Sequence, residues 1–399
     1  MHATQLLNNY LRKYCQEVHK KRMAAIMALT LSLMTGKKLS VTGLGRAICT
    51  GTKTKHNIKR VDRLVGSAAV NQDRDVINKA LAKLIIGRQR RPVIIVDWSD
   101  LSSDREFQLL RASIPVGGRA LTLYEQCHRQ RHAGKPRVHK QFLNHLHHIL
   151  PRHCVPIIVT DAGFRTPWFR AVLAKGWDYI GRVGGHTMLS PQRQDDWIRI
   201  EEVFKTATRK GRYLGELDLV RQHPLTCHAY LIKKKKQGRI KKTVFGKRCA
   251  MKHSEKNAHR ERTPWFLATS LDRSMANTKQ VFGLYKTRMQ IEEAFKDVKN
   301  SRSGFSLNEA RCSATYRYEN LLLIAQLATF SVWLIGMIAE MKQWCRDFQA
   351  NTVRYEKVLS TFFLGLAVLN RGEDGFLKRD FTEAIKQLRL RHDEACGYV

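Results

Sequence analysis

Acidic residues are scarce in this chain. Its 399 residues carry 34 Asp plus Glu against 71 Lys plus Arg, a formal net charge of +37. The positive charge is spread along the sequence and not confined to a tail. That pattern argues for a long polyanionic partner, with nucleic acid first, because Lys and Arg gain affinity by releasing counterions from phosphates. Cysteine gives no framework: there are nine, an odd number, and no pair is spaced C-x2-C. Neither a disulfide scaffold nor a zinc finger is indicated, and reduced thiols in a cytoplasmic protein are the simplest account. The opening MHATQLLNNYLRKYCQE lacks the basic-then-apolar layout of a secretory signal. Long apolar runs are missing with one exception, Leu321 to Ala339, which is uncharged over 19 residues. It is long enough to span a bilayer, but Gln326, Thr329 and Ser331 interrupt it and no second run exists, so a buried core helix and no membrane are expected. A P-loop is missing too: Gly45 and Gly51 are wrongly spaced and no G-K-[ST] follows.

What is present divides into about two or three domains' worth of core. Residues 1–88 read as helical. Within them Leu39 to Cys49 reads as a short helix, Thr50-Gly51-Thr52 as a turn, and Lys53 to Val65 as a second, basic helix. That is the outline of a helix-turn-helix, with Lys53, Lys55, His56, Asn57, Lys59 and Arg60 as candidate DNA contacts, although many helical hairpins share the outline. Residues 89–185 alternate strands and helices. PVIIVDWSD is a β-branched run ending in Asp97, and FQLLRASIPVGGRALTLYEQCH reads as two strands joined at Gly117-Gly118. Val138 to Leu150 is helical, with His145, His147 and His148 on a solvated face rather than in a metal site. VPIIVTDAGF repeats the first device, a Val/Ile strand delivering Asp161, and a helix from Pro167 to Ala174 and the strand WDYIGRV follow it.

Residues 186–262 break this rhythm and read as a β-rich insertion, with Lys233 to Lys242 as either a DNA-facing hairpin or a flexible charged loop. Residues 263–304 return to the core through the strand TPWFLATSL, and 305–399 are largely helical. Neighbouring strands that each present one Asp can bring the two carboxylates together to bind magnesium or manganese, which favour oxygen ligands. A third carboxylate lies downstream. Tyr285 to Lys299, YKTRMQIEEAFKDVK, has no Gly or Pro and reads as one continuous helix of about four turns. Arg288, Glu292 and Lys299 fall near one face, so that Glu292 could hold a metal while Tyr285, Arg288 and Lys299 grip phosphate oxygens. An amphipathic helix with ordinary salt bridges would show the same local pattern.

Taken with Asp97 and Asp161, this stretch resembles the DDE transposases of bacterial insertion sequences. It is most similar to the insertion-sequence-four family and its branch flanking a tetracycline-resistance transposon. That family's signature, Y-x2-R-x3-E-x6-K, is met by Tyr285, Arg288, Glu292 and Lys299 without a departure. VDWSD, LRAS, TDAGF, PWFLATSL and TKHNIKRVDRL also resemble that branch, and the likeness thins after about residue 365. It implies an α/β fold: an RNase H-like catalytic core with a β-rich insertion between Asp161 and Glu292, a helical N-terminal DNA-binding domain and a helical C-terminal region.

The resemblance also implies Asp97, Asp161 and Glu292 as catalytic metal ligands for two Mg2+ ions, with Mn2+ as a substitute. It implies Trp265 as the stacking partner of a flipped base, and Arg182 as a further DNA contact. The activity implied is cut-and-paste transposition on double-stranded DNA, through a hairpin at the element's terminal inverted repeats and 3′-hydroxyl attack on target DNA. The partners implied are a homodimer on paired ends and host DNA-bending proteins, at a bacterial, nucleoid-associated location. Two other readings stay open: a sequence-specific DNA-binding regulator, and an RNase H-like nuclease without strand transfer.

Overall fold

The computed structural model describes residues 3–102, 104–191, 196–234, 263–353, 355–372 and 375–397. By internal contact the chain forms two compact units, Met1–Pro156 with Thr287–Val399, and Ile157–Lys286.

The first unit begins with five helices: α1 (Ala3–Tyr14), α2 (Lys20–Gly36), α3 (Val41–Ala47), α4 (Thr54–Val65) and α5 (Ala68–Ile86). Ser40 starts α3 by accepting from Gly43 N at 3.1 Å, and Ser67 starts α5 by accepting from Val70 N at 3.4 Å, so orphan amides at each N-terminus are met. A Cβ at Gly45 would stand 2.6 Å from the Ile58 side chain, and its absence lets α3 and α4 pack as a tight helical hairpin. Three antiparallel strands follow, β1 (Val93–Asp100), β2 (Phe107–Pro115) and β3 (Ala120–Arg129). The apolar run of β1 is buried from Val93 to Val96, and the strand continues past Asp97 to Asp100. Gly117 and Gly118 turn β2 into β3 at φ 78° and 87°, left-handed values that a two-glycine turn adopts freely. Helix α6 (Pro136–Ile149) buries Phe142, Leu143, Leu146 and Ile149 and leaves His145, His147 and His148 exposed, as its periodicity indicates.

The second unit starts with a parallel pair, β4 (Ile157–Thr160) and β5 (Asp178–Val183), connected by α7 (Thr166–Leu173). Gly181 leaves room for the Phe169 ring, which stacks on Tyr179 at 4.5 Å. Then come β6 (Met188–Pro191), β7 (Ile198–Arg199), α8 (Ile200–Lys205), β8 (Arg212–Leu219) and β9 (Leu225–Ile232), whose strand pairings are all antiparallel. Strand β10 (Trp265–Thr269) lies antiparallel to both β5 and β9, and α9 (Thr278–Lys286) closes the unit. Of the Lys233 to Lys242 segment, everything from residue 235 lies outside the described residues.

The chain re-enters the first unit with α10 (Met289–Lys299), α11 (Thr315–Met341), α12 (Thr361–Asn370) and α13 (Lys378–Cys396). The expected single helix from Tyr285 to Lys299 is therefore two helices, broken at Thr287 and Arg288. The break falls where the chain leaves one compact unit for the other. Thr287 is buried, and Gln290 N bonds to Thr287 O at 2.9 Å and Ile291 N to Arg288 O at 3.2 Å, tight one-turn contacts that restart the helix.

Helix α11 has the length and apolarity of a membrane span, yet 94% of its apolar window is buried within the protein. Two of its polar residues bond to protein partners: Asn320 donates to Val65 O and Ser67 O at 2.9 and 3.0 Å, and Gln326 donates to Thr122 O at 3.1 Å. It is the core helix of its unit. Helix α12 crosses it with backbones in contact. A Cβ at Gly336 would press on Thr361 O, and one at Gly365 on Val332 O. Gly336→Ala and Gly365→Ala should each cost about 2–3 kcal/mol, because backbone atoms cannot move aside as a flexible side chain would. Urea denaturation of the variants checks this through a lowered midpoint at unchanged slope.

Candidate active site

Strand pleat and register set up the site. Asp97 and Ser99 are two residues apart on β1 and so share a face. Across the sheet Asp97 pairs with Arg111 of β2, and Arg111 pairs with Glu125 of β3. Arg111 Nε donates to Glu125 Oε2 at 2.7 Å, with side chains 3% and 2% exposed. Helix α10 buries Ile291, Ala294, Phe295 and Val298, and the Arg111 guanidinium lies 4.6 Å over the Phe295 ring. Gln290 Oε1 accepts from Val116 N at 3.0 Å, and Arg119 of the β2–β3 connection pairs with Asp297 at 2.7 Å. Burial pushes the Asp297 carboxyl up to about 6 despite the adjacent Arg119.

On this frame Arg288 bridges two carboxylates. Its Nη1 donates to Asp97 Oδ2 at 3.1 Å and its Nη2 to Glu292 Oε1 at 2.7 Å. Asp97 and Arg288 side chains are each 13% exposed and Glu292 is 40% exposed, so the bridge is largely sheltered and open on the glutamate side. Asp97 Oδ1 also accepts from Trp98 N at 2.8 Å. Lys299, at the end of α10, donates to Ser99 Oγ at 2.7 Å and to Asp100 O. Burial, aided by the Arg111 charge, lowers the Lys299 ammonium to about 8, with Asp100 opposing.

The remaining sequence candidates belong to other elements. Asp161 belongs to the second unit, directly after β4, with Oδ1 accepting from Gly163 N at 2.8 Å. Trp265 opens β10 in that unit, with Lys234 Nζ 3.5 Å over its ring. Tyr285, expected at a phosphate, is 3% exposed and supports Trp265 edge-on, with centroids 4.7 Å apart. Arg182 on β5 donates to Thr263 O at 3.3 Å. On α4 and the turn before it, Lys53, Lys55, His56, Lys59 and Arg60 are exposed. Asn57 is a correction: it is 4% exposed and turned inward, its amide donating to Ile48 O at 3.4 Å and Thr50 Oγ1 at 3.2 Å. It pins the turn and is not available to DNA. Sequence reading missed Ser99, Arg111, Glu125 and Gln290, and took in Lys234 only as part of the Lys233 to Lys242 segment. Ser99 was findable from its two-residue offset from Asp97.

Among the described residues no group of three or more His, Cys, Asp or Glu stands close enough to hold a metal ion. The Asp97–Glu292 pair nevertheless suits a hard cation. Both are carboxylates, and oxygen atoms of each already converge on one positively charged group.

The family model of the transposase DDE domain matches residues 88–328. The chain belongs to the DDE transposase family. No curated protein matches the chain. As a transposase it acts in DNA recombination, and DNA is its substrate. The net charge of +37 and the exposed basic face of α4 are consistent with that substrate.

Lys299 gives a pH signature. Its ammonium loses its proton near pH 8 in the free transposase, and a DNA phosphate would favour the charged form. Affinity for DNA should therefore fall as pH rises above about 8, by up to about tenfold per pH unit for one linked proton. In Lys299→Gln this step should be absent, as fluorescence anisotropy with a labelled duplex would report. The unfolded chain holds more protons than the fold between about pH 8 and the ordinary lysine value. This residue's penalty on stability is thus full below pH 8 and relieved as pH rises through that window.

Proposed function

We propose that this transposase is a cut-and-paste enzyme of the insertion-sequence-four type, with Asp97, Asp161 and Glu292 as its metal-holding carboxylates. The observation that carries the reading is the Arg288 fork joining Asp97 to Glu292 within the signature Tyr285, Arg288, Glu292, Lys299. When bound, two divalent ions, Mg2+ or Mn2+, would supply an activated oxygen nucleophile and stabilise the leaving oxygen. The chain's own residues bind and orient the DNA around that chemistry. Arg288 offers phosphate a bidentate fork and Lys299 a point charge anchored on Ser99 and Asp100. Trp265, braced by Tyr285, would stack against a base extruded from a distorted end, and Lys234 over the Trp265 ring would meet the adjoining phosphate. Lys53, Lys55, His56, Lys59 and Arg60 present charge and donors to duplex DNA, and Arg182 adds a further contact.

In this reading water first nicks the element end to free a 3′-hydroxyl. That hydroxyl attacks the opposite strand to give a hairpin, water reopens it, and the recovered 3′-hydroxyl joins target DNA. A homodimer on paired ends, assisted by host DNA-bending proteins, is the proposed assembly. Incubating the protein with DNA carrying the element's own terminal repeats and a supercoiled target tests it. Hairpin ends and joined products are expected. Cleavage without joining would favour a nuclease, and specific binding without cleavage a regulator.

A further inference from the structure

A guanidinium that holds both Asp97 and Glu292 occupies the lone pairs a cation would need. We propose that Arg288 is an interlock, competing with the divalent ion for these carboxylates and releasing them when a DNA phosphate takes the guanidinium. The inference rests on the reading of Asp97 and Glu292 as metal ligands.

Three features carry it. The contacts are direct, at 3.1 Å to Asp97 and 2.7 Å to Glu292, so the same oxygen atoms cannot serve both cations fully. Arginine stays protonated at any working pH, so it cannot yield by losing its charge and has to move. An entering divalent ion would repel a guanidinium left a few ångström away. The way out is short. Glu292 is 40% exposed, Met289 beside it is 39% exposed, and Arg288 sits at the break before α10 rather than inside a helix. A phosphate offers two oxygen atoms that can accept both bonds of the guanidinium fork in place of the two carboxylates.

The consequence is an order of events. Without DNA one of the pair's two negative charges is offset by Arg288 and the ion is held weakly. With DNA the fork transfers to phosphate and the pair is left negative, so ion affinity rises. By reciprocity the ion must also tighten DNA binding. Such coupling would suppress cleavage chemistry in protein that has not engaged DNA.

The test is Mn2+ binding to the full chain without DNA, followed by the electron paramagnetic resonance signal of free Mn2+. Arg288→Gln should bind Mn2+ on the order of tenfold more tightly than wild type. Arg288→Lys keeps the charge but loses the fork. It should fall between the two, and it still decides the matter should the Gln variant fold poorly, since Lys no tighter than wild type overturns the interlock. Adding Glu292→Gln to Arg288→Gln should remove the gain. If Arg288→Gln binds no more tightly while Glu292→Gln alone weakens binding, the interlock is wrong and the metal reading survives. If Glu292→Gln changes nothing in either background, both fall. For the DNA half, Mn2+ should tighten binding of a duplex lacking the element's ends more in wild type than in Arg288→Gln. An equal effect in the two would overturn it.

Discussion

Glu292→Gln is expected to lower cleavage of element-end DNA by roughly 10³-fold or more, while DNA affinity stays within about threefold of wild type. The substitution keeps the size of the side chain and its place on α10, but removes a negative oxygen from the carboxylate pair. Arg288 retains Asp97 as a partner at 3.1 Å, so the first turn of α10 has no reason to unravel. The proposed phosphate-binding groups on α4 and Lys299 are untouched. The separation of binding from cutting is what distinguishes loss of a metal ligand from loss of fold. Gel-shift titration and single-turnover cleavage on one preparation would measure both. A variant that cuts as fast as wild type would remove Glu292 from the chemistry.

The second large effect is on stability. Arg111→Leu should destabilise the protein by about 3–5 kcal/mol, because it strands the Glu125 carboxylate in the sheet without a counter-charge. Both members are almost fully buried and joined at 2.7 Å, so water cannot replace the lost guanidinium. The Arg111 ring contact with Phe295 of α10 goes with it, and α10 carries Glu292. The double variant Arg111→Leu/Glu125→Leu should recover much of the loss, since removing both charges removes the desolvation cost as well. Chemical denaturation of the two single variants and the double gives the coupling directly. A double variant no more stable than the single would mean that packing, not charge, dominates this pair.

Much of this architecture was legible in the residues. The β-branched run at Val93 and the Gly117-Gly118 pair locate β1 and the hairpin, because strand burial and left-handed turns leave strong local marks. The paired spacing of Leu39 to Cys49 and Lys53 to Val65 locates α3 to within about two residues at each end and α4 to within about one. What escaped depended on tertiary facts. The Arg111–Glu125 pair is hidden by a bulge between Ala112 and Ser113: counting back from the two glycines sets Arg111 opposite Tyr124, whereas the register is Glu125. The break at Thr287 carries no Gly or Pro, and it appears where the chain changes units, which local propensity does not encode. Asn57 looks like a groove-reading side chain, yet an amide one turn into a helix can serve the preceding turn equally well. Of the candidate site, the Arg288–Glu292 spacing was legible as a helical neighbour pair. The reach of Arg288 to Asp97, 191 residues away in the sequence, was not.

The proposal that Asp97, Asp161 and Glu292 hold the catalytic metal has a direct test. Replacing Mg2+ by Fe2+ and adding ascorbate and peroxide generates radicals at the bound ion, which cut the polypeptide nearby. Cuts mapped by mass spectrometry on the DNA-bound protein should cluster around residues 97, 161 and 292, and should vanish in Glu292→Gln. Cuts near 97 and 292 that spare 161, or cuts unchanged in the variant, would contradict it.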